Sequence, residues 1–552
     1  MPQNADVIVV GAGLSGLVAV AELVEAGQHV IVLDQEPEAS LGGQAWWSFG
    51  GLFLVDSPEQ RRLRVKDSHD LARQDWYASA EWDREEDENG REWAEAYLAW
   101  AAGEKREWLH SKGISFFPVV GWAERGGYTA TGHGNSVPRF HIVWGTGPGI
   151  LEPFIKTLRD GVQQGLVELK FRHRADELIV RDGAVVGVKG KVLAGDDAQR
   201  GEPSNRDEEG DFSYEAPAVI VASGGIGGNH DLVRKQWPEW LGTPPETMLS
   251  GVPAHVDGRM LGIAEKAGAH LVNGDRMWHY TEGIENFAPV WDKHGIRILP
   301  GPSSLWFDAT GKRLPVPLFP GFDTLGTLSY LRSLGHDHSW FVLTQAVLEK
   351  EFALSGSEQN PDLTGKSIRE LVRQRLSKGA TEPVEAFKQK GADFVVADTL
   401  DELFKGMKKL QPKGVKLDTQ ELRREIEARD RELDNDFTKD AQVTALRGAR
   451  KYLGDRLIRV AKPHKFLDPE HRPLIAVKLH VLTRKTLGGI RTDLNSQALA
   501  PDGTPIPGLY AVGEAAGFGG GGVHGYRALE GTFLGGCLFT GRQAGRAIAG
   551  TL

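Results

Sequence analysis

The hydrophobic pattern of the first 35 residues predicts a strand, a helix and a second strand. Residues 7–10 form an unbroken β-branched run, which is typical of a parallel strand buried on both faces. The run ends at Gly11, and residues 17–26 then have helical spacing. A second strand is predicted over residues 29–33 and closes with Asp34. This order of elements predicts an α/β fold that begins with a Rossmann-like unit.

Three glycines at the first turn, Gly11, Gly13 and Gly16, form the pattern G-x-G-x-x-G. The first makes the tight turn, the second lets the backbone approach a pyrophosphate, and the third permits close packing of helix and strand. Asp34 follows the second strand, where a carboxylate can accept hydrogen bonds from a ribose diol. The unit predicts an adenine dinucleotide site without distinguishing FAD from NAD. Its predicted binding residues are Gly11, Ala12, Gly13, Leu14, Ser15, Gly16, Asp34 and Gln35.

Residues 40–55, SLGGQAWWSFGGLFLV, place two glycine pairs around a Trp-Trp dipeptide. This segment resembles the FAD-binding flavoprotein family of fumarate reductase, succinate dehydrogenase and 3-ketosteroid Δ1-dehydrogenase, in which such a loop runs beneath the flavin. The resemblance implies FAD as the cofactor. Family members with covalent FAD have a histidine at or near the position of Gln44, so the resemblance implies non-covalent FAD here. The cofactor-binding residues implied for this segment are Gly42, Gly43, Gln44, Ser48, Gly50 and Gly51.

Two later segments resemble the same family. Residues 217–229 predict a strand at 219–222 that returns beside the adenosine, and residues 507–517 predict a strand at 509–512 that leads to the ribityl-phosphate region. Residues 531–534 correspond to a helix start whose amides meet the flavin pyrimidine in the family. The implied cofactor-binding residues are Ala222, Ser223, Gly224, Gly513, Glu514, Gly531, Thr532, Phe533 and Leu534.

The pattern changes between about residues 251 and 475. Residues 257–283 and the strand-turn-strand around G-K-R at 305–317 resemble the family's capping domain. We therefore predict a discontinuous Rossmann-like FAD-binding domain, residues 1–250 and 476–552, with an inserted α+β capping and substrate domain, residues 251–475. Charged helices within the insertion, such as residues 420–437, are expected to be solvated.

Three further segments are expected to have structural roles. Residues 195–218 are polar and without periodicity, which predicts a solvated loop in a β-meander, with no chemistry. Residues 91–110 carry a tryptophan every seven or eight positions, which predicts an amphipathic helix with an aromatic core face. Trp46 and Trp47 either pack in the core or line the flavin edge.

The stretch 519–536, GGGGVHGYRALEGTFLGG, contains the candidate reactive residues His524, Tyr526 and Arg527. The dicarboxylate branch of the family has an arginine where Ala528 stands, so the resemblance implies that fumarate and succinate are poor substrates. The ketosteroid branch has a catalytic tyrosine close to this place. Proton transfer is assigned to His524 or Tyr526, and a histidine suits it because its ordinary pKa lies near neutral pH. Arg527 is either catalytic or an ion-pair partner of Glu530 or other neighbours.

A second group of candidates lies in the predicted capping domain. Fumarate-reducing relatives have a substrate-binding histidine at the end of a strand, and Tyr280 or the adjacent His279 stands at that position. Thr324 stands nearest the place of the acid-base arginine that dicarboxylate enzymes have in their cap. These differences favour an apolar ketone over a dicarboxylate.

Composition limits the remaining possibilities. Of 552 residues 69 are glycine, against an ordinary share of about 7 per cent, which indicates close backbone approaches. The net charge of −10 and the absence of long basic runs disfavour nucleic-acid binding. The single Cys537 excludes an internal disulfide framework and a cysteine-rich metal site, and no metal is expected. No apolar run reaches 18 residues and no signal sequence is evident, so a cytoplasmic protein without a transmembrane segment is expected.

These features predict an FAD-dependent oxidoreductase that introduces or reduces a C=C bond next to a carbonyl, acting on an apolar ketone or ketosteroid. A fumarate-type or enone reductase and a flavin-binding protein without turnover stay as alternatives. No second nucleotide unit is visible, so a quinone, a dye-like carrier or a partner protein is favoured as electron acceptor over a nicotinamide. The sequence leaves the oligomeric state open.

Overall fold

A mostly parallel sheet built around the N-terminal strand forms the first part of the fold. The computed structural model describes residues 5–122, 124–376 and 379–551. Val7 lies opposite Val30 on one side and Ala218 on the other, and both pairings are parallel. The predicted α/β class is confirmed. In the described part of the chain this sheet has six strands, in spatial order Gln497–Leu499, Pro505–Ala511, Ala218–Val221, Val7–Val10, Val30–Asp34 and Val167–Phe171.

Two helices beside the first sheet pack closely on each other because glycines remove the side chains between them. Helix Leu14–Glu25 lies along the last helix, Thr532–Thr551. A Cβ atom on Gly541 would lie 2.4 Å from Ser15 O, so only glycine permits this helix-helix distance. Because Ser15 lies against Gly541, the beginning of the first helix meets the middle of the last helix.

A second, mostly antiparallel sheet contains the inserted segment. Its long central strand, Leu474–Thr486, pairs with His338–Thr344 on one side and Met277–Glu285 on the other. The predicted boundary at residue 476 falls within this central strand, and the chain joins the first sheet only at Gln497. The two-domain division itself stays a prediction. The remaining strands of the second sheet are Leu249–Ser250, Gly295–Leu299, Leu305–Asp308, Ala353–Leu354 and Phe394–Ala397.

Smaller sheets flank these two. His173–Arg181, Ala184–Leu193 and Glu208–Glu215 form an antiparallel three-stranded sheet. The prediction of a loop over residues 195–218 is therefore wrong for 208–215, because backbone pairing holds an edge strand whose side chains are largely exposed. Two short pairs complete the strands: Gly51–Phe53 with Phe140–Ile142, and Leu271–Val272 with Gly489–Ile490.

The tryptophan-rich segment forms two helices, Asp87–Ala102 and Lys105–Ser111, where one was predicted. Its aromatic side chains are buried, and Trp100 stacks on Phe539 of the last helix with ring centroids 4.9 Å apart. The predicted aromatic core face is confirmed. None of the described helices is long and apolar enough to cross a membrane.

The other described helices connect and cover the sheets. Among them, Thr419–Arg431 is the charged helix predicted for the insertion, and its polar residues are mostly at least partly exposed. The remaining α-helices are Pro58–Arg62, His69–Ala80, Thr146–Gln163, His230–Lys235, Arg259–Lys266, Thr324–Ser333, Gln345–Glu351, Pro361–Thr364, Ile368–Leu376, Glu382–Lys390, Leu400–Leu410, Ala441–Ala449 and Leu453–Ile458, and the 3₁₀ helices are Glu38–Ser40, Gly43–Trp47, Glu239–Leu241, Pro469–His471 and Gly513–Ala515.

Candidate functional site

A deep cavity lies where the parallel strands of the first sheet end, and the second sheet closes its far side. This is the position at which open α/β sheets bind ligands. Most of the predicted cofactor-binding residues line it: Gly11, Gly13, Leu14, Ser15, Asp34, Gln35, Gly43, Gln44, Ser48, Gly50, Gly51, Ala222, Ser223, Gly224, Glu514, Gly531, Phe533 and Leu534.

The other predicted cofactor-binding residues lie just behind the cavity wall. The Ala12 amide donates to Asp34 Oδ2 at 2.9 Å, which holds the carboxylate at the end of the second strand. A Cβ on Gly16 would lie 2.2 Å from Gly11 O, so this glycine allows the helix to meet the turn. The predicted residues that do not line the cavity themselves are Ala12, Gly16, Gly42, Gly513 and Thr532.

The glycine turn has the geometry of a phosphate site. Gly11 has a φ of +110°, and a Cβ there would lie 2.5 Å from Ala222 O. Gly13, by contrast, has no protein atom within 4 Å of its Cβ position, so the space beside it is open. No side chain caps the helix that starts at Leu14, so its first amide groups are available to an anion. The turn therefore fits a pyrophosphate.

Two further polar groups of the cavity fit the rest of a dinucleotide. Ser48 Oγ is buried and has no hydrogen-bond partner in the described part of the chain. Asp34 accepts from backbone amides, one oxygen from Ala12 and the other from Glu36, both at 2.9 Å, and each oxygen retains a further lone pair. Burial raises the pKa of Asp34. The residues present fit FAD along the path that the sequence predicts.

Gln44 joins the two sides of the cavity. Its Nε2 donates to Glu514 Oε2 at 2.8 Å, and the other oxygen of Glu514 accepts from the Thr486 amide at 2.8 Å. Burial raises the pKa of Glu514. Trp46 and Trp47, next along the chain, do not belong to the described lining of the cavity: Trp46 lies under the guanidinium of Arg200.

Four polar side chains meet on the side of the cavity formed by the second sheet: Tyr280, Arg297, Lys485 and Glu530. Tyr280 Oη donates to Glu530 Oε1 at 3.2 Å and accepts from Lys485 Nζ at 2.9 Å. Arg297 donates to the same Glu530 oxygen at 2.7 Å, and its guanidinium carbon lies 3.7 Å from the centre of the Tyr280 ring. The phenol is thus held between a cation and an anion inside the cavity.

The charged groups in this cluster, together with their burial, shift one another's pKa values. Burial, together with the charge of Arg484, lowers the pKa of Lys485 to about 7. Burial alone would favour protonation of Glu530, but the charges of Arg297 and Lys485 outweigh it and lower the pKa of that carboxyl. Burial and the charge of Glu530 raise the pKa of Tyr280. At neutral pH the cluster therefore contains a neutral phenol, an ionised Glu530 and a lysine close to its midpoint.

The two adjacent candidates in strand Met277–Glu285 face different surroundings. Tyr280 lines the cavity, whereas His279 packs on Trp237 with ring centroids 4.9 Å apart. Burial lowers the pKa of His279 to about 3, which keeps its ring neutral. The structure therefore brings only Tyr280 of this pair to the cavity.

His524 lies behind the cavity wall. Its ring is fully buried between Trp76 and Phe533, and burial lowers its pKa to about 3. Thr532 Oγ1 lies 2.8 Å from His524 Nε2 and donates to Leu529 O, so the histidine must donate to the threonine oxygen. His524 orients the start of the last helix and has no described contact with the cavity.

Tyr526 and Arg527 lie on the far side of the same turn, outside the described cavity lining. Tyr526 Oη donates to Asp83, and the guanidinium carbon of Arg276 lies 4.1 Å from the centre of its ring. Arg527 pairs with Glu81 and, at 3.8 Å, with Asp323. Of the two alternatives for Arg527, these contacts support the ion pair, and its partners in the described part of the chain do not include Glu530. Neither side chain is placed to meet a substrate in the cavity.

The sequence reasoning missed Arg297, Arg484 and Lys485 as members of the site. The one available signal is that two consecutive basic residues end a buried apolar strand, Leu474–Thr486. Arg297 carries no signal of its own, since a single arginine in a short strand is typical of any protein surface.

The fold and the cavity define a dinucleotide-dependent oxidoreductase. A sequence model of the FAD binding domain matches residues 6–534, and the chain belongs to this FAD-binding flavoprotein family. A KsdD-like steroid dehydrogenase of Mycobacterium tuberculosis strain H37Rv is 62% identical over 546 residues, which cover 99% of this chain and 96% of the relative. The predictions of the family and of an FAD-dependent dehydrogenase are confirmed.

Solved structures support the fold. The 3-ketosteroid Δ1-dehydrogenase from Sterolibacterium denitrificans has a TM-score of 0.66 at 17% identity, with 99% of this chain and 100% of that chain covered. An open flavocytochrome c3 fumarate reductase has a TM-score of 0.63 at 20% identity, with 100% of this chain and 78% of that chain covered. At these sequence identities the similarity is evidence for a shared fold.

Proposed function

We propose that the protein is an FAD-dependent dehydrogenase of ketosteroids that introduces a C=C bond next to a carbonyl. The observation that carries the proposal is the Tyr280 hydroxyl in the cavity, held between Lys485 and Glu530. The 62% identity to a relative called a steroid dehydrogenase supports the substrate class. The name of this relative argues against the alternative of a flavin-binding protein without turnover.

We further propose that FAD is held without a covalent bond. The glycine turn and the helix beginning at Leu14 would hold the pyrophosphate, and Asp34 would hold the ribose. The amide of Gln44 is bonded to Glu514 and offers no tether of the kind that a histidine forms. Acid precipitation should leave a colourless pellet and a yellow supernatant, whereas a yellow pellet would contradict non-covalent binding.

Tyr280 is proposed to take the proton next to the substrate carbonyl. When bound, FAD accepts the hydride that leaves the neighbouring carbon. The phenol can accept a proton only as it gives up its own, and its pKa is raised, so it needs a partner base. Neutral Lys485, with Nζ 2.9 Å from the phenol oxygen, is the better base because Arg297 keeps Glu530 ionised and weakly basic. For this transfer the phenol turns its O–H from Glu530 to the lone pair of neutral Nζ, and the lysine takes that proton as the phenol oxygen takes the substrate's.

The charged groups are also proposed to stabilise the negative charge that develops during proton transfer. The substrate becomes enolate-like as its proton leaves, and negative charge develops near the phenol. Arg297 is buried beside Tyr280 and keeps its positive charge, so it stabilises this charge without rearrangement. The cluster therefore supplies both the proton carrier and the electrostatic stabilisation that the reaction requires.

Anaerobic reduction of the flavin tests this function. The purified yellow protein is mixed with a panel of 3-ketosteroids, simpler ketones and succinate, and its visible absorbance is followed. Ketosteroids are expected to bleach the flavin, and the product should carry one additional C=C bond. Bleaching by succinate alone would contradict the proposal.

A second candidate is a reductase of unsaturated acids or enones. Arg484 lines the cavity and has no hydrogen-bond or ion-pair partner in the described part of the chain. A partly buried guanidinium without an ion-pair partner suits a substrate carboxylate. Oxidation of a reduced dye by fumarate or by an enone, with no bleaching by ketosteroids, would favour this candidate.

The electron acceptor in the dehydrogenase direction is proposed to be a quinone, a dye-like carrier or a partner protein.

A further inference from the structure

A polar loop without an assigned role lies against the segment that covers one end of the cavity. Residues 194–207 join strands Ala184–Leu193 and Glu208–Glu215, and we call this loop the strap. It packs on residues 35–47, which follow the second strand of the first sheet. Six residues of that segment line the cavity: Gln35, Glu36, Ser40, Gly43, Gln44 and Ala45.

The strap supplies the partners of a buried carboxylate. Glu36 is only 3% exposed, and its two oxygens accept from different strap residues. Ser204 Oγ donates to Glu36 Oε2 at 2.8 Å, and Arg206 donates to Oε1 at 2.7 Å. A buried carboxylate without such partners would be strongly destabilised. Displacement of the strap therefore requires residue 36 to move as well.

Arg172, at the base of the same hairpin, ties both segments together. One of its nitrogens donates to Gln35 O at 2.8 Å and to Ser204 Oγ at 2.9 Å. The other donates to Asn205 O at 2.5 Å, and Nε donates to Ala194 O at 3.0 Å. One buried guanidinium thus holds both ends of the strap and the backbone next to Asp34.

The middle of the strap contacts the far end of the covered segment. Arg200 donates to Leu41 O at 2.7 Å, and its guanidinium carbon lies 3.9 Å from the centre of the Trp46 ring. A Cβ on Gly201 would lie 2.9 Å from Trp47, so the loop approaches this tryptophan as closely as glycine allows. The strap is therefore attached at both ends of residues 35–47.

We propose that the strap retains FAD by holding residues 35–47 closed over the adenosine end of the cofactor. The acid that ends the second strand binds the ribose in this class of fold, so the residues that follow it cover the adenosine. Arg200, Ser204 and Arg206 are then positioning residues for the cofactor. The inference rests on the non-covalent FAD of the proposed function and not on the substrate.

The rate of FAD release tests the strap. Released FAD is followed by its rise in fluorescence after the holoprotein is diluted, for the variants Arg200→Ala and Arg206→Ala. Each is expected to release FAD about tenfold faster, as the loss of one hydrogen bond to a charged group predicts. Arg206→Lys should restore most of the retention. Arg181→Ala is the matched control, since it removes an ion pair with Glu215 at the other end of the hairpin.

Thermal unfolding separates cofactor retention from a role in the fold alone. The apoprotein of Arg200→Ala should unfold within about 3 °C of the wild-type apoprotein, while the stabilisation that added FAD provides becomes smaller. Arg206→Ala also removes a partner of buried Glu36, so its apoprotein is expected to lose more stability and does not serve for this comparison. An unchanged release rate, or an equal loss of stability with and without FAD, would overturn the proposal. No substrate takes part in either measurement, so a failure to oxidise ketosteroids would count against the proposed function only.

Discussion

Tyr280 and His279 are neighbours in one strand, yet only the tyrosine reaches the cavity. Side chains alternate between the two faces of a strand, so a shift of one residue exchanges them. The pairing of this strand with Leu474–Thr486 is irregular on both sides of Tyr280. The local sequence therefore could not decide between the two residues, and the tertiary packing on Trp237 does.

Replacing the phenol tests the proposed proton carrier. Tyr280→Phe should lower kcat on a ketosteroid by about 10²–10⁴-fold, the range for loss of a positioned acid-base group, while FAD absorbance stays unchanged. Steady-state kinetics with an artificial electron acceptor provides the measurement. Tyr526→Phe is the control and should change kcat by less than about twofold, because that hydroxyl bonds to exposed Asp83. A larger loss in the control than in Tyr280→Phe would restore Tyr526 as the carrier.

Lys485 should determine the pH dependence of turnover. Its neutral form is the proposed base, and its pKa is lowered to about 7, so the active fraction rises as the pH increases through 7. We expect kcat/KM in the dehydrogenase direction to rise between pH 6 and 8 with a midpoint near 7. The Lys485→Met variant should have a lower kcat/KM, and its pH profile should lack this rise. Persistence of the midpoint in the variant would assign it to another group.

At the scale of elements, the glycine turn and its helix are the most predictable part of the protein. The strand, turn, helix and acid follow one another within 30 residues, and local backbone rules decide their geometry. The predicted strand 29–33 is observed as Val30–Asp34, and the helix begins three residues earlier than predicted, at Leu14. Short-range structure of this kind could be predicted because glycine and β-branched residues restrict the local backbone.

Replacing two glycines of this turn should have different effects, one on FAD binding and the other on the stability of the apoprotein. Gly13→Ala should leave the apoprotein stable to within about 1 kcal/mol, because no protein atom occupies the space, and should weaken FAD binding by about tenfold or more. Gly16→Ala should destabilise the apoprotein itself, since the new Cβ would lie 2.2 Å from Gly11 O. Gly262→Ala, in helix Arg259–Lys266, has open space and is the control. Flavin titration and thermal unfolding distinguish the three outcomes.

The glycine-rich turn of residues 519–536 was predicted as the floor of the active site, with its reactive groups at residues 524 and 526. Glu530, Gly531 and Phe533 do line the cavity. Residues 524–527 curl away from it, and Gly525 packs so closely on Ala80 that a Cβ would lie 2.1 Å from its carbonyl oxygen. The glycine-rich composition identified this segment as part of the site, but the direction of each side chain depended on packing against helix His69–Ala80, which is distant in sequence.

At the scale of the whole molecule, the proposed proton cluster joins residues far apart in sequence. Tyr280, Arg297 and Lys485 come from three neighbouring strands of the second sheet, while Glu530 precedes the last helix of the first part. No local pattern connects such positions. The same holds for the strap, whose polar sequence predicted only a solvated loop.

Glu124 links a loop of the first part to the inserted part and should make stability depend on pH. Its oxygens accept from the Thr324 amide at 2.8 Å and hydroxyl at 3.1 Å, and burial, aided by the charge of Asp323, raises its pKa to about 8. Between pH 4.5 and 8 the unfolded chain loses this proton while the folded protein keeps it, so the group's stabilising contribution falls as the pH rises.

Glu124→Gln removes this titration and keeps a side chain of similar shape. The variant should be about 1–3 kcal/mol more stable at pH 8, relative to wild type, than it is at pH 5. Thermal unfolding of both proteins across this range provides the measurement, and the other titrating groups cancel in the comparison. A difference that does not change with pH would contradict the raised pKa of Glu124.

The sequence alone determined the fold class, the FAD-binding turn and many of the residues that line the cavity, because these depend on local backbone geometry and on motifs within single segments. Only the tertiary structure decided which side chains face the cavity. It assembled Tyr280, Arg297, Lys485 and Glu530, moved His524 and Tyr526 out of the cavity, and placed the strap on the cofactor segment. The physical reason is that these contacts join distant strands, whose register and packing no local pattern specifies.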